Sequence, residues 1–207
     1  MLSADLPTLI ARAITLVIAF TVHEFAHAWT ASQLGDRTAA YQGRLTLNPL
    51  VHLDPFGTLM LLLAGFGWAK PVPVNPYNLR YGKLGWMLVA AAGPLSNLLL
   101  AMLAAIPVRF GLIPLFDPVR GQLLSLGLLF NTFITINIFL MVFNLIPIAP
   151  LDGYRVAVSL LPDNLAYSLQ RLEPYGVMIL LLLVFTGSLT FLVVGPSRLL
   201  LNLILYS

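Results

Sequence analysis

The sequence predicts an all-α polytopic membrane protein of about four to five transmembrane helices, with a cytoplasmic-side re-entrant loop containing short β-strands. Three observations predict it. Of 207 residues, 59% are hydrophobic and only 9% charged, against roughly 25% charge in soluble domains. Mean hydropathy is +0.91. Uninterrupted apolar stretches, long enough to cross the bilayer at about 20 residues each, recur along the chain. This composition excludes a water-soluble enzyme, a disordered chain and a nucleic-acid binder. The net charge of +3 comes from 11 Lys and Arg against 8 Asp and Glu, with no basic run. Without cysteine, the chain has no disulfide, no thiolate zinc site and no cysteine nucleophile.

The first span covers 8–34. It is too long for a signal peptide, lacks a small-residue cleavage site, and carries His23, Glu24 and His27. The long connection 35–83 follows, holding Arg37, Arg44, Lys70, Arg80 and Lys83 against Asp36 and Asp54. Asn48-Pro49, Asp54-Pro55 and Lys70-Pro71-Val72-Pro73-Val74-Asn75-Pro76 punctuate it, which predicts short strands and turns. Within it, the run 56–69 is too short to cross and reads as re-entrant or interfacial. Spans at 84–108, 121–147 and 175–194 come next, and 151–161 reads like 56–69. A shorter piece at 197–206, after Gly195-Pro196, folds back or lies at the interface. The excess of Lys and Arg in 35–83 over 109–120 places that connection, and 148–174, on the cytoplasmic side. The whole chain, 1–207, reads as a single membrane-embedded domain with a core at about 8–161 and hydrophobic C-terminal helices at about 175–206.

His23-Glu24-Phe25-Ala26-His27 sets two imidazoles four residues apart, on one face of a helix, where they can share a tetrahedral zinc. The intervening Glu24 can accept a proton from water activated there. Ionisable groups at membrane depth are expensive and mark function by default. At 1.5 Å per residue, His27 lies roughly 10 Å from the helix end near Leu34, so water must reach a site inside the bilayer. Catalytic zinc usually takes three protein ligands. The remaining candidates are His52 and the carboxylates Asp36, Asp54, Asp117, Asp152, Asp163 and Glu173. His52 reads better as a loop histidine. Asp117 falls on the wrong side of the membrane. Asp152 follows the helix break Pro147-Ile148-Ala149-Pro150, where it serves either as a metal ligand or as the N-cap of the next helix. Gly93 lies roughly 14 Å into its span, close to the depth of the His pair, and Asn97 nearby needs a polar partner.

Taken together, the motifs His23-Glu24-x-x-His27, Gly93-Pro94-x-x-Asn97 and Asn144-x-x-Pro147-x-x-Pro150-Leu151-Asp152-Gly153 resemble the site-2 protease family of intramembrane zinc metalloproteases. Arg44-Leu45-Thr46-Leu47-Asn48-Pro49 is similar to the loop of its short bacterial and archaeal members, which lack a PDZ domain or CBS pair. The resemblance implies one Zn2+ held by His23, His27 and Asp152, with Glu24 as general base. It implies a multi-pass protein of a bacterial or archaeal cell membrane whose substrates are transmembrane segments of other proteins. Asn144 and Asn97 are candidates for binding substrate backbone or the developing oxyanion. Residues 70–74 are expected to form an edge strand. There Pro71 and Pro73 blank one side, while Val72 and Val74 keep their backbone groups for a sheet or a substrate strand. A catalytically silent, membrane-protein-binding relative would lose Glu24 or a ligand. A metal transporter would string ligands along several helices. Neither pattern is present.

Overall fold

The computed structural model describes residues 5–54, 56–57, 68–114 and 124–206. Helix α1 (Leu6–Gln33) starts where the Asp5 carboxylate accepts from the Thr8 N–H, and it ends at Leu34 before Gly35, which has φ +107°. Two single-turn helices follow, α2 (Thr38–Tyr41) and α3 (Pro49–His52), and then a 3-10 turn at Pro76–Asn78. Helix α4 (Lys83–Arg109) carries Pro94 and Pro107 inside it, and α5 (Leu126–Asn144) is capped by the Ser125 hydroxyl on the Leu128 N–H. The short helices α6 (Asp152–Leu160), α7 (Asp163–Gln170) and α8 (Gly176–Phe185) lead to α9 (Ser188–Tyr206).

Among the described residues, five helical segments are long and apolar enough to cross a membrane: Leu6–Gln33, Lys83–Arg109, Leu126–Asn144, Asp163–Phe185 and Ser188–Tyr206. Helices α1, α4 and α5 pack on one another, α6 packs on α4, and α9 on α5. Small residues let them approach: Ala101 and Ala105 of α4 meet Ile134 and Ile138 of α5, with Leu200, Leu201 and Ile204 of α9 around them. Val193 of α9 meets Ile146 and Leu151, while Arg109 donates to the Ile204 carbonyl. Helix α9 therefore runs antiparallel to α5 and parallel to α4.

One expectation is corrected, and a second is not met among the described residues. The C-terminal break falls at Thr186–Gly187, not at Gly195-Pro196. Gly187 takes φ +73°, the left-handed conformation that ends a helix without steric cost. Pro196 is carried inside α9, as spanning helices tolerate when their surroundings make up the missing bond. The expected short strands are also absent among the described residues, where one isolated antiparallel bridge joins Leu53 and Ala69. The reason lies in the hydrogen bonds of 70–75. Pro71 and Pro73 have no N–H, and side chains claim several of the other backbone groups. Val72 N–H donates to Glu24, Asn75 N–H to Asp36, and Arg44 donates to the carbonyls of Lys70 and Pro71. Side chains of α1 and of the loop after it hold this segment, in place of a sheet among the described residues. The bulk of the expected re-entrant run 56–69, residues 58–67, lies outside the described residues, as do Pro55 and Asp117.

Candidate metal centre

His23 and His27, one turn apart on α1, point their rings to the same side, with centroids 4.7 Å apart. The tight turn after α5 brings Asp152 to them. Its N-cap position is taken by Leu151, and Asp152 is the first residue of α6. Its carboxylate does not cap that helix. Oδ2 lies 3.1 Å from His23 Nε2 and 3.3 Å from His27 Nε2, and the two Nε2 atoms are 3.1 Å apart. These are the three groups that could hold a metal ion among the described residues, and all three are buried. The cap reading of Asp152 therefore does not hold, and its carboxylate lies with the two imidazoles.

The hydrogen bonds behind the rings fix which of their nitrogens face Asp152. His27 Nδ1 is 2.7 Å from the Val89 carbonyl, which can only accept, so Nδ1 carries the proton. For His23 the argument runs through two asparagines. Asn137 donates from Nδ2 to the Phe133 carbonyl at 2.9 Å, which turns its Oδ1 toward Asn97. Asn97 donates Nδ2 to that oxygen at 2.9 Å, so its own Oδ1 accepts from His23 Nδ1 at 2.7 Å. With each neutral ring's proton on Nδ1, two nitrogen lone pairs and a carboxylate oxygen converge with no hydrogen between them. Such a group repels itself unless a cation sits among its members. Imidazoles oriented by a second hydrogen bond, plus one carboxylate, form the donor set of a catalytic zinc site with an open position.

Helix α4 makes room for this arrangement. A Cβ on Gly93 would stand 2.4 Å from His27 Nε2 and 2.6 Å from His23 Nε2. The depth match read from residue counting is borne out by that contact. Pro94 has no N–H for the Ala90 carbonyl and loosens the turn whose Val89 carbonyl holds His27. Gly153 serves likewise, since a Cβ there would stand 2.2 Å from the Leu145 carbonyl oxygen.

Glu24 is buried beside the cluster without joining it, and its Oε2 accepts from the Val72 N–H at 3.0 Å. The other candidates go elsewhere. His52 is fully buried in the loop, with Nε2 donating to the Thr46 carbonyl at 2.7 Å. Asp54 accepts from Gly57, Asp163 pairs with Lys83, and Glu173 accepts from the Tyr154 hydroxyl. Asn144 donates to the Leu140 carbonyl of its own helix at 3.0 Å, and the amide of Asn97 is spent on His23 and Asn137. The sequence reading offered Asp36 only as a metal candidate and Arg44 only as a loop charge and motif residue, and missed that these side chains fasten the loop over Glu24. Burial opposes the Asp36 charge, but hydrogen bonds from Thr38, Asn75 and Asn78 outweigh it and hold the carboxyl below its ordinary range. No periodicity marks such residues, because their partners are backbone groups of an irregular segment.

A protein of Bacillus subtilis (strain 168) with the name "Putative zinc metalloprotease YwhC" is 46% identical over 178 residues, covering 84% of this chain and 79% of its own length. The chain belongs to the site-2 protease family. "Putative zinc metalloprotease Rip2" of Mycobacterium tuberculosis (strain ATCC 25618 / H37Rv) is 33% identical over 179 residues, and this chain spans 66% of it. Its namesake in Mycolicibacterium smegmatis is 32% identical over 185 residues. No family model and no solved structure matches the chain. The protein is thus a multi-pass membrane metalloprotease whose cofactor is zinc, and the buried His and Asp cluster of this site-2 protease has the chemistry that zinc requires.

Proposed function

We propose that this site-2 protease hydrolyses peptide bonds within or next to transmembrane segments of other membrane proteins, at a site formed by His23, His27, Asp152 and Glu24 and reached from the cytoplasmic side. The observation that carries the reading is the depth of the donor cluster: His23 and His27 sit inside a helix of spanning length, against the middle of a second. A site so placed is hard for soluble chains to reach. Arg37, Arg44, Arg80 and Lys83 at the near end of both helices support the cytoplasmic side.

His23, His27 and Asp152 would hold the zinc. When bound, the metal supplies Lewis acidity, making water more acidic and polarising a carbonyl. The protein's own groups carry the rest. Glu24 takes the proton of the attacking water and delivers it to the departing amine. The Val72 N–H keeps one carboxylate oxygen occupied and so fixes which oxygen faces the reaction. Asn97 positions the His23 ring, which replaces its expected contact with the oxyanion. Asn144 remains a candidate for substrate backbone, and its amide would have to leave the Leu140 carbonyl to donate there. Residues 70–74 supply an extended edge near the site. Because the Val72 N–H is taken and the Val72 side chain packs on Ala28 and Ala39, substrate pairing would use the face that this segment leaves open.

The test is cleavage of a single-span membrane protein by the purified chain in proteoliposomes, with and without a chelator. Chelator-sensitive cleavage inside or beside the span is expected. Cleavage of soluble proteins only, or turnover that survives metal removal, would end the proposal.

A further inference from the structure

Behind the turn that carries Asp152, a cavity of about 400 Å³ opens between the start of α4, the Ala149-Pro150 segment, α6 and the chain from Gln170 to Val177. Its lining includes Trp86, Tyr154, Arg155, Val158, Glu173 and Val177, none of them a member of the metal cluster. Two opposite charges face this space without closing on each other. The Arg155 guanidinium carbon sits 5.0 Å from the centroid of the Trp86 ring, and among the described residues it has no hydrogen-bonding or acidic partner. Glu173 holds the Tyr154 hydroxyl through Oε2 at 2.7 Å.

The apolar surroundings are equally specific. Val177, Leu181 and Val184 of α8 are 59%, 52% and 54% exposed, and their spacing puts them in one stripe that leads away from the cavity. Trp86 stands in the first turn of a spanning helix, one turn from its first residue, Lys83. Indole rings settle at this level, where headgroups meet hydrocarbon.

We infer that the cavity seats the headgroup of a phosphatidylethanolamine-type lipid, with the phosphate on Arg155, the ammonium on Glu173 and an acyl chain against Val177 at the head of that stripe. Arg matches phosphate oxygens with paired N–H donors. A primary ammonium can donate to a carboxylate, whereas the quaternary ammonium of phosphatidylcholine has no N–H, and phosphatidylglycerol has no cation at all. A soluble phosphate would leave the apolar stripe unused. The lipid would brace the turn that presents Asp152.

The experiment reads retained lipid by native mass spectrometry, on the full chain drawn into mild detergent from nanodiscs of equal parts phosphatidylethanolamine, phosphatidylcholine and phosphatidylglycerol. The wild type is expected to keep one phosphatidylethanolamine about tenfold in preference to the others, the factor a charged hydrogen bond carries. Arg155→Gln should reduce retention about tenfold. Glu173→Gln, which keeps an oxygen for the Tyr154 hydroxyl, should erase the preference among headgroups. Circular dichroism and zinc content confirm that each variant is folded, and if either is not, the wild-type preference alone decides. Equal retention of the three lipids by the wild type, or unchanged retention in both folded variants, overturns the inference. So does displacement of the lipid by millimolar inorganic phosphate, which would make this a plain anion site. A photo-crosslinker at position 177 that captures a single-span substrate in place of lipid would reassign the cavity to substrate.

Discussion

The two halves of this bundle are both apolar enough to span a membrane and opposite in what they bury. Helices α1, α4 and α5 turn Thr15, His23, Glu24, His27, Asn97 and Asn137 inward. Helices α8 and α9 bury Gly176, Val193 and Ser197, and Leu181, Leu182, Phe185, Phe191 and Leu199 among their side chains are exposed. Burying a polar group is costly unless it is hydrogen-bonded. The first half satisfies that condition along a continuous chain, from the Phe133 carbonyl through Asn137 and Asn97 to His23. The chain stops at nitrogen lone pairs that face a carboxylate with no proton between them. The difference teaches that function in a membrane bundle is located less by where polar residues are than by where their hydrogen bonds run out.

The largest expected effects break the first half at that end point. Asp152→Ala should remove both zinc and activity, since two imidazoles alone leave the metal short of ligands. Gly93→Ala should do the same without touching a ligand, because its methyl group would stand 2.4 Å from His27 Nε2. His52→Ala should leave zinc in place. Metal analysis of the three purified variants checks all of this; zinc lost from the His52 variant and kept by the Asp152 variant would reverse the assignment. Next in size, Glu24→Gln should lower cleavage by roughly 10²- to 10⁴-fold while about one zinc per chain stays bound, as expected of a base that is not a ligand. Near-normal turnover would refute that role.

One step further from the metal, Asn97→Leu should weaken zinc affinity by about 10- to 100-fold, the usual cost of losing the group that orients a ligating histidine. Competition with a chelator measures it. An unchanged affinity would mean that packing alone holds the His23 ring.

How much of this was legible in the sequence depended on how local each feature is. His23, Glu24 and His27 sit within five residues of one helix, and spacing alone declared them. Gly93 and Asn97 could be placed near them by counting residues from a helix end, because a spanning helix is a ruler of nearly fixed pitch. Asp152 was visible as a residue after a helix break, but whether it capped a helix or faced a metal depended on a turn that no residue count describes. The strands expected of the loop are not found among its described residues, for a physical reason. Alternation of Val and Pro at 71–74 has the look of an edge strand, yet the acceptors for its backbone are Glu24 and Asp36, and its donor is Arg44. Such side chains become visible as loop anchors only once the chain is folded.

Asp36 makes that point testable through pH. Its carboxyl is held below the ordinary value in the folded protein. Its hydrogen bonds therefore stabilise the protein fully above the unfolded-chain value of about 3.9, and that stability is lost as pH falls through the lower folded value. Thermal melts of the detergent-solubilised protein from pH 7 downward should show this decline in the wild type. Asp36→Asn should flatten part of it and cost about 1–3 kcal/mol at neutral pH, since Asn cannot accept from both the Asn75 N–H and the Asn78 amide as a carboxylate does. Parallel pH profiles for both proteins would remove Asp36 from the account of how the loop is fastened.

The smallest expected effect has the opposite sign and belongs to the second half. Ser197 of α9 is fully buried, and among the described residues its hydroxyl has no hydrogen-bond partner. In the first half every comparable removal takes away one member of a satisfied pair and strands the other. Here Ser197→Ala removes an unsatisfied group and strands nothing. A buried polar atom without a partner costs about 1–3 kcal/mol, and the void left by one oxygen returns part of that. The net expectation is a melting temperature higher by a few degrees for a chain of this size, with zinc content and cleavage unchanged. A lower melting temperature would show that the hydroxyl has a partner, such as a buried water, and that the second half keeps a polar contact of its own.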